Sequence, residues 1–457
     1  MDRAQQLGKE KIGTLLLKFS IPAIVGMLVQ ALYNVVDRIF VGHGVGALGI
    51  AGITVIFPVQ LIIMAFSMLI GLGATALISI KLGEGRREEA EEITSTAVVM
   101  LVVVGLLITV LGLVLLNPLV RVLGASDTVA PYARDYMRVI LIGAVFQTVS
   151  FGMTNFIRAE GSPKWAMGSM LIGAITNTIL DPIFIFGFGW GVFGAAVATV
   201  LAKIFSCFWV VYYFASGRSH LKVCLKSVCI RFSILLKIVS IGFAPCAMQL
   251  AASLINLIMN QSLGRYGGDL AISGMGIVHS ITTIFMMPIF GINQGVQPII
   301  GYNYGAKQYE RVKEALRLAS LGATALVTLG WITTRLFPTQ LISLFGRSDA
   351  ELLELSIKAM RLALYVFPVV GIQIVGSGYF QAVGKPRQAA FLSLSRQLLL
   401  LVPALFILPR ILGLKGVFIS LPVSDIASTL LTVVLLLREV RELNYSGSAV
   451  PVPETHL

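Results

Sequence analysis

Long apolar runs recur along the whole chain, and they constrain its fold more than any other feature. A helix needs about 20 apolar residues to cross a bilayer, and runs of this length follow one another with only short polar connections between them. Membrane β-barrels show short alternating segments instead. The sequence therefore predicts an all-α polytopic membrane protein. We place its twelve transmembrane helices at residues 13–42, 48–80, 92–116, 131–156, 163–186, 190–215, 232–264, 270–301, 313–336, 351–380, 388–408 and 415–437.

Composition excludes several classes of protein. Charged residues make up 12% of the chain, whereas soluble domains carry about 25%, and the deficit extends over the whole sequence. A soluble domain held by a single anchor is therefore excluded. The sequence has no G-x-x-x-x-G-K-[ST] phosphate-binding loop and no metal-binding helix motif. We expect neither an ATPase nor any other enzyme, and no bound cofactor or metal centre.

Basic residues are concentrated on alternate connections. Most of the 35 Lys and Arg residues fall in the tails and in the connections after even-numbered helices, as Lys9, Arg86, Lys222, Lys307 and Lys385 do. Connections rich in Lys and Arg remain cytoplasmic, so we expect both termini in the cytoplasm. This topology accounts for the net charge of +13, and it gives no reason to expect a nucleic-acid partner.

The chain repeats itself at an offset of about 223 residues, which is the mark of an internal duplication. Five segments match in the same order, namely 81–92 with 303–314, 123–127 with 345–349, 137–138 with 360–361, 161–163 with 384–386, and 191–193 with 416–418. Each half contains six predicted helices, so both halves have the same orientation. Parallel repeats of this kind build transporters that work by alternating access to a central site.

The repeat defines the expected domains. We assign residues 1–217 to a first lobe, 218–231 to a cytoplasmic linker, 232–437 to a second lobe and 438–457 to a cytoplasmic tail. Two lobes in this arrangement are expected to enclose a cleft between them.

Two carboxylates lie deep within predicted helices of the first lobe. Counted from Lys18 and Lys164 at 1.5 Å per residue, Asp37 and Asp181 are each roughly 26–28 Å from the cytoplasmic side. Ionisable groups within a span usually line a cavity or an ion pathway. The alternative for Asp37 is a local ion pair with Arg38, although adjacent residues on a helix do not face each other.

Three further polar residues fall at the same depth. Asn177 precedes Asp181 by about one helical turn, so both side chains project from one face of the fifth helix. Tyr136 begins the fourth helix, and Thr199 lies in the sixth. Together with Asp37, these groups could trap a proton or coordinate Na⁺ through their oxygen atoms.

The second lobe carries different deep charges. By the repeat, Asn260 stands where the first lobe has Asp37. Arg396 and Asp425 lie at similar depth in the eleventh and twelfth helices. We interpret them as a structural ion pair, with a role in transport as the alternative.

Methionine and amide side chains are frequent in the spans that would border the cleft. Methionine is flexible and is common on promiscuous binding surfaces. The alternative for each methionine is ordinary packing in a hydrophobic core. Our candidate substrate-binding residues are Gln30, Asn34, Met64, Met153, Gln249, Asn256, Met259 and Met287.

Several of these segments together resemble the multidrug and toxic compound extrusion (MATE) family along essentially the full length of the chain. They are most similar to its bacterial branch of DinF-like and MepA-like proteins. The segments are Tyr33–Gly42, Arg158–Pro163, Asn177–Asp181, Gly295–Pro298, Gly301–Gly305 and Ser393–Gln397.

The resemblance implies a V-shaped pair of six-helix bundles in the bacterial inner membrane. It implies export of drugs, often organic cations, in exchange for H⁺ or Na⁺. In DinF-like members the residues matching Asp37, Tyr136, Asn177, Asp181 and Thr199 form the coupling site. If the coupling ion is Na⁺, its ligands would be Asp37, Asn177, Asp181 and Thr199. We expect a monomer embedded in the lipid bilayer. A rival function within the superfamily is the flipping of lipid-linked precursors, which would favour a strongly basic cavity and extra helices.

Overall fold

The computed structural model describes residues 3–123, 125–223, 231–343 and 350–448, which are helical with short connections. Three of the described helical segments are not α-helical, namely the π-helices Ile183–Gly187 and Ser395–Leu401 and the 3₁₀ turn Phe367–Val369. The α-helices are α1 (Arg3–Lys9), α2 (Ile12–Val45), α3 (Ala47–Gly83), α4 (Arg87–Val114), α5 (Leu116–Val122), α6 (Ala130–Ala159), α7 (Pro163–Pro182), α8 (Gly191–Ala215), α9 (Phe232–Gly305), α10 (Tyr309–Leu336), α11 (Pro338–Ser343), α12 (Ala350–Ala363), α13 (Val370–Ala382), α14 (Pro386–Leu394), α15 (Val402–Leu412) and α16 (Leu414–Ser448).

Within the described residues, 11 helices are long and apolar enough to cross a membrane, and one bent pair brings the number to 12. Spans 1 to 6 are α2, α3, α4, α6, α7 with its π-helix, and α8. Spans 7 to 12 are the two arms of α9, then α10, the pair α12 and α13, the pair α14 and α15, and α16. The predicted all-α, twelve-span fold is confirmed, and most boundaries agree to within a few residues.

Two local features interrupt the helical backbone in the second half of the chain. Gly268 has φ 66° and ψ −165°, a conformation that is open to glycine because it has no Cβ. It separates span 7 (Phe232–Gly268) from span 8 (Leu270–Gly305). Span 10 bends by 47° between its two helices, next to Pro368, whose ring and missing N–H disrupt a regular helix.

The hydrophobic cores follow the two halves of the sequence, with one exchange between them. One core consists only of first-half residues, and the largest core consists mainly of second-half residues. The start of span 1 nevertheless packs into the second-half core through Leu15 and Phe19. Conversely, Ile238 at the start of span 7 packs into a first-half core. Spans 1 and 7 therefore cross from one lobe to the other at one end of the molecule.

Glycines at this same end allow the lobes to approach backbone to backbone. A Cβ on Gly83 of span 2 would lie 1.9 Å from the Tyr302 carbonyl oxygen, and a Cβ on Gly305 of span 8 would lie 2.1 Å from the Ile80 carbonyl oxygen. These two glycines are related by the sequence repeat, so the contact is nearly symmetrical. Spans 2 and 8 end here, on the side that the basic connections assign to the cytoplasm.

Helix α1 lies across this closed end. The Arg311 guanidinium of span 9 donates hydrogen bonds to the carbonyl oxygens of Leu7 (3.0 Å) and Glu10 (2.6 Å). Asn303 of span 8 also donates to the Leu7 carbonyl oxygen, at 3.0 Å. These bonds satisfy carbonyls that the end of a helix leaves without intrahelical partners.

Orientation in the membrane can be tested at two exposed serines. Ser126 lies between spans 3 and 4, and Ser216 lies between spans 6 and 7. In a variant without the four native cysteines, we expect Ser126→Cys to react with an impermeant thiol reagent in intact cells. Ser216→Cys should react only after permeabilisation. Equal labelling of both sites in intact cells would rule out the topology with both termini in the cytoplasm. Ser348, the repeat counterpart of Ser126, lies outside the described residues.

Candidate functional site

A cavity of about 460 Å³ lies between the two halves, a volume typical of sites for small organic molecules. Its wall is formed by spans 1, 2, 4, 5, 6, 7, 8, 10 and 11. Much of the wall is apolar and flexible, and its large apolar side chains include Met27, Met64, Met68, Phe151, Met170, Met248, Met287 and Phe290.

The structure corrects part of the predicted cleft. Met153 and Met259 are 4% and 7% exposed and pack within hydrophobic cores, because their helix faces are turned away from the cavity. Asn256 lies beyond Ala252, the last residue of span 7 that lines it. The Asn34 side chain lies outside the described part of the structure. The predicted residues that do line the cavity are Gln30, Met64, Gln249 and Met287.

The five residues predicted to couple ions come together beside this cavity. All are buried, with exposed fractions of 0% for Asp181, 1% for Asn177, 2% for Tyr136, 8% for Asp37 and 9% for Thr199. They come from spans 1, 4, 5 and 6, so residues far apart in sequence meet at one place. We call this group the carboxyl cluster.

Hydrogen bonds connect the carboxyl cluster to the cavity wall. The Asn177 amide donates to the Asp181 carboxyl at 3.2 Å and lies 3.3 Å from the Thr199 hydroxyl. Asp37 and Asp181 are close neighbours within the cluster. Asn177 and Thr199 line the cavity, whereas the two carboxyl groups lie behind them. A change at the carboxyl pair can therefore reach the cavity through these two residues.

Gln60 of span 2 adds a contact to the cluster that sequence reasoning missed. Its amide donates to the Tyr136 hydroxyl at 3.1 Å. Burying a tyrosine hydroxyl is costly unless it is hydrogen-bonded, so Gln60 fixes the tyrosine beside the two carboxyl groups. Polar residues at matched depth in the sequence were the only available signal for it.

The predicted pairing of Arg396 with Asp425 is present. The guanidinium Nε donates to the carboxylate Oδ1 at 2.8 Å, with side-chain exposures of 27% and 7%. Arg396 belongs to the π-helix Ser395–Leu401 and also lines the cavity. The pair therefore lies at the cavity wall, where π-helical segments are frequently found near functional sites.

Arg158 is the cavity residue that sequence reasoning missed most clearly. It is 4% exposed, although its position at the end of span 4 is one where arginines are usually solvated. Its guanidinium donates to Asn155 at 2.8 Å and to Gln294 of the opposite half, and it contacts the Met170 sulfur at 3.2 Å. The one available signal was the repeat, which pairs Arg158 with a neutral residue, Gln381.

Comparison with known proteins agrees with this architecture. A family model described as MatE matches residues 22–183 and 245–407, once in each half of the repeat. Multidrug export protein MepA of Staphylococcus aureus (strain MSSA476) is 27% identical over 433 residues, which cover 94% of this chain and 95% of that protein.

Two solved structures extend the comparison to the whole fold. DinF-BH, described as a MATE multidrug transporter in complex with rhodamine 6G, is 40% identical with a TM-score of 0.89, over 94% of this chain and 97% of its own. A second, described as a multidrug resistance MATE family transporter in an outward-facing conformation, is 26% identical with a TM-score of 0.90, over 96% and 98%.

Proposed function

The chain belongs to the MatE family, and we propose that it is a secondary exporter of small organic drugs, often cationic, driven by inward movement of H⁺ or Na⁺ across the bacterial inner membrane. The similarity to proteins described as multidrug transporters supports the substrate class. The observation that carries the coupling is the burial of Asp37 and Asp181 directly behind Asn177, which lines the cavity.

The carboxyl cluster favours H⁺ as the coupling ion. Asp37 and Asp181 are close neighbours, and a proton on one of them removes the repulsion between two negative carboxylates. Both are buried within the membrane region, where two neighbouring negative charges would be costly. Na⁺ is the alternative, because Asp37, Asn177, Asp181 and Thr199 all offer oxygen ligands.

Exchange follows if the proton and the drug favour different arrangements of the first lobe. Loss of the proton creates a negative charge behind Asn177 and Thr199, and these side chains form part of the cavity wall. A drug cation is stabilised by that charge, and protonation removes the attraction. An ion can shift a conformational equilibrium only through such a difference in affinity.

Alternating access requires the closed end to open. There, the lobes touch through glycine backbone contacts, such as that of Gly83 and Gly305. Rocking the lobes against each other would then expose the cavity to each side of the membrane in turn.

Flipping of a lipid-linked precursor is the weaker alternative. A cavity of about 460 Å³ is the size of a drug site. The described residues give at most 12 candidate spans and so no extra helices of the kind that a flippase would favour. Three cations among these residues line the cavity and one of them, Arg396, is paired with Asp425, so the wall is only modestly basic.

Efflux from proteoliposomes tests this function and its coupling ion. Vesicles loaded with ethidium should lose it under a pure pH gradient and retain it under a pure Na⁺ gradient. Efflux under the Na⁺ gradient alone would identify Na⁺ as the ion at the carboxyl cluster. If ethidium and rhodamine 6G are both retained under both gradients, the proposed export function is wrong.

A further inference from the structure

The wall of the central cavity is basic. The described residues that line it include Arg158, Lys203 and Arg396 but no Asp or Glu. Arg396 is neutralised by its ion pair with Asp425. The Lys203 ammonium lies 5.7 Å from the centre of the Tyr33 ring, within cation–π range. The ring has no net charge, so the positive charge of Lys203 is not neutralised by it. The cavity thus carries positive charge where a site for cations alone would not need it.

Arg158 is the most unusual of these cations because it is buried without a counter-ion. Its described partners, Asn155, Gln294 and Met170, are all neutral, and no carboxylate forms an ion pair with it among the described residues. Buried charges are normally paired, since removing them from water is costly. A guanidinium has five N–H donors, so its three contacts leave donors for a ligand in the cavity.

A row of amides continues from Arg158 across the cavity. Gln294 and Gln297 lie three residues apart on span 8 and therefore share a helix face. The Gln297 amide donates to the Gln381 side-chain oxygen at 3.5 Å. Gln381 occupies the position that the repeat relates to Arg158, so the row joins equivalent points of the two lobes. We call Arg158, Gln294, Gln297 and Gln381 the amide row.

Gln381 provides an independent sign that a ligand binds here. Its side chain is 6% exposed and lines the cavity. Its Nε2 group has no hydrogen-bond acceptor among the described residues. Leaving a buried donor unsatisfied is costly, and an acceptor from a bound molecule would remove this cost.

We propose that the amide row is an anion subsite, which binds the carboxylate or sulfonate of an organic molecule whose apolar body rests on the methionines of the cavity. The planar guanidinium suits such groups because it can donate two parallel hydrogen bonds to them. This inference rests on the proposed export function and extends its substrates from cations to organic anions and zwitterions. A zwitterion would place its cationic part towards the carboxyl cluster and its anionic part on the amide row.

Two dyes with the same body test the subsite. Rhodamine 6G is a cationic ethyl ester, and hydrolysis of that ester gives an acid with an added carboxylate. We would measure binding of both dyes to the purified protein by fluorescence polarisation. Arg158→Gln should weaken binding of the acid by about 10- to 100-fold, the expected effect of losing hydrogen bonds to a charged group. Binding of the ester should change by no more than about twofold, since the ester makes no such bonds.

Further variants separate a binding role from a structural one. Arg158→Lys should restore part of the affinity for the acid, and Gln381→Leu should weaken binding of the acid alone. Arg138→Gln removes an exposed arginine from the same span and should change neither dye. If Arg158→Gln does not fold, Gln381→Leu carries the test.

The outcomes distinguish this inference from the function on which it rests. If Arg158→Gln weakens binding of both dyes equally, Arg158 only holds the lobes together. If Arg158→Gln leaves binding of the acid unchanged, the carboxylate does not bind at the amide row. Either result overturns the anion subsite. If the wild type exports rhodamine 6G but neither binds nor exports the acid, the subsite is wrong and the export function stands. Failure to export either dye or ethidium contradicts the export function itself.

Discussion

Asp37→Asn is expected to abolish gradient-driven efflux while the protein still folds and reaches the membrane. Asparagine has nearly the same shape as a protonated aspartic acid but cannot release a proton. The change leaves Asp181 as the only carboxyl group of the cluster, so the two positions can no longer share a proton or lose one as a pair. We expect driven efflux of ethidium to fall to the level of vesicles without a gradient, at matched expression.

The matched control for this variant is Asn260→Ala. Asn260 is the repeat counterpart of Asp37 and is exposed in the second lobe, so its loss should leave coupling largely intact. Wild-type efflux by Asp37→Asn would remove the carboxyl cluster from the mechanism. Complete loss of efflux from Asn260→Ala would place the coupling site in the second lobe instead.

Removing either partner of the Arg396–Asp425 pair alone should destabilise the protein strongly. Each single change leaves one buried charge without its 2.8 Å partner, which typically costs about 3–5 kcal/mol. Arg396→Gln and Asp425→Asn should each reduce the yield of folded protein and its thermal stability in detergent. The double variant leaves no unpaired charge, so it should recover much of both.

Folding is the appropriate measurement for this pair because Arg396 also lines the cavity. Arg410→Gln provides the control, since it removes an exposed arginine from the same span and should cost less than about 0.5 kcal/mol. If the double variant is no more stable than the less stable of the two single variants, the two residues do not act as a pair.

The anion subsite and the carboxyl cluster place charge of opposite sign at the two ends of the cavity. The amide row lies towards the closed end of the molecule, where Arg158 contacts Gln294 of the other lobe. The cluster lies beside Asn177 and Thr199, between spans 5 and 6. A site with separated charges and a methionine-rich middle can accept molecules that differ in shape and charge, because flexible side chains repack around them.

The spans, the duplication and the residues of the carboxyl cluster could all be predicted from the sequence. Hydrophobic length decides which segments enter a bilayer, since the membrane imposes one length on every helix. Asp37 and Asp181 stood out because a carboxylate deep within a span has few alternatives to function. Arg396 and Asp425 were paired by depth for the same reason.

The face of each helix that lines the cavity could not be predicted from the sequence and is known from the folded structure. Met64 lines it and Met153 lies in a core, yet both are methionines in apolar spans. In a water-soluble protein, the apolar face of a helix is the face that packs against the core. A membrane helix is apolar towards both the lipid and the core, so its hydrophobic pattern does not separate the two faces. The amide row depends on the same information and also on the approach of the two lobes. Arg158 looks like a loop-side arginine in the sequence, and it becomes a buried, unpaired cation only because spans 5 and 8 pack against it.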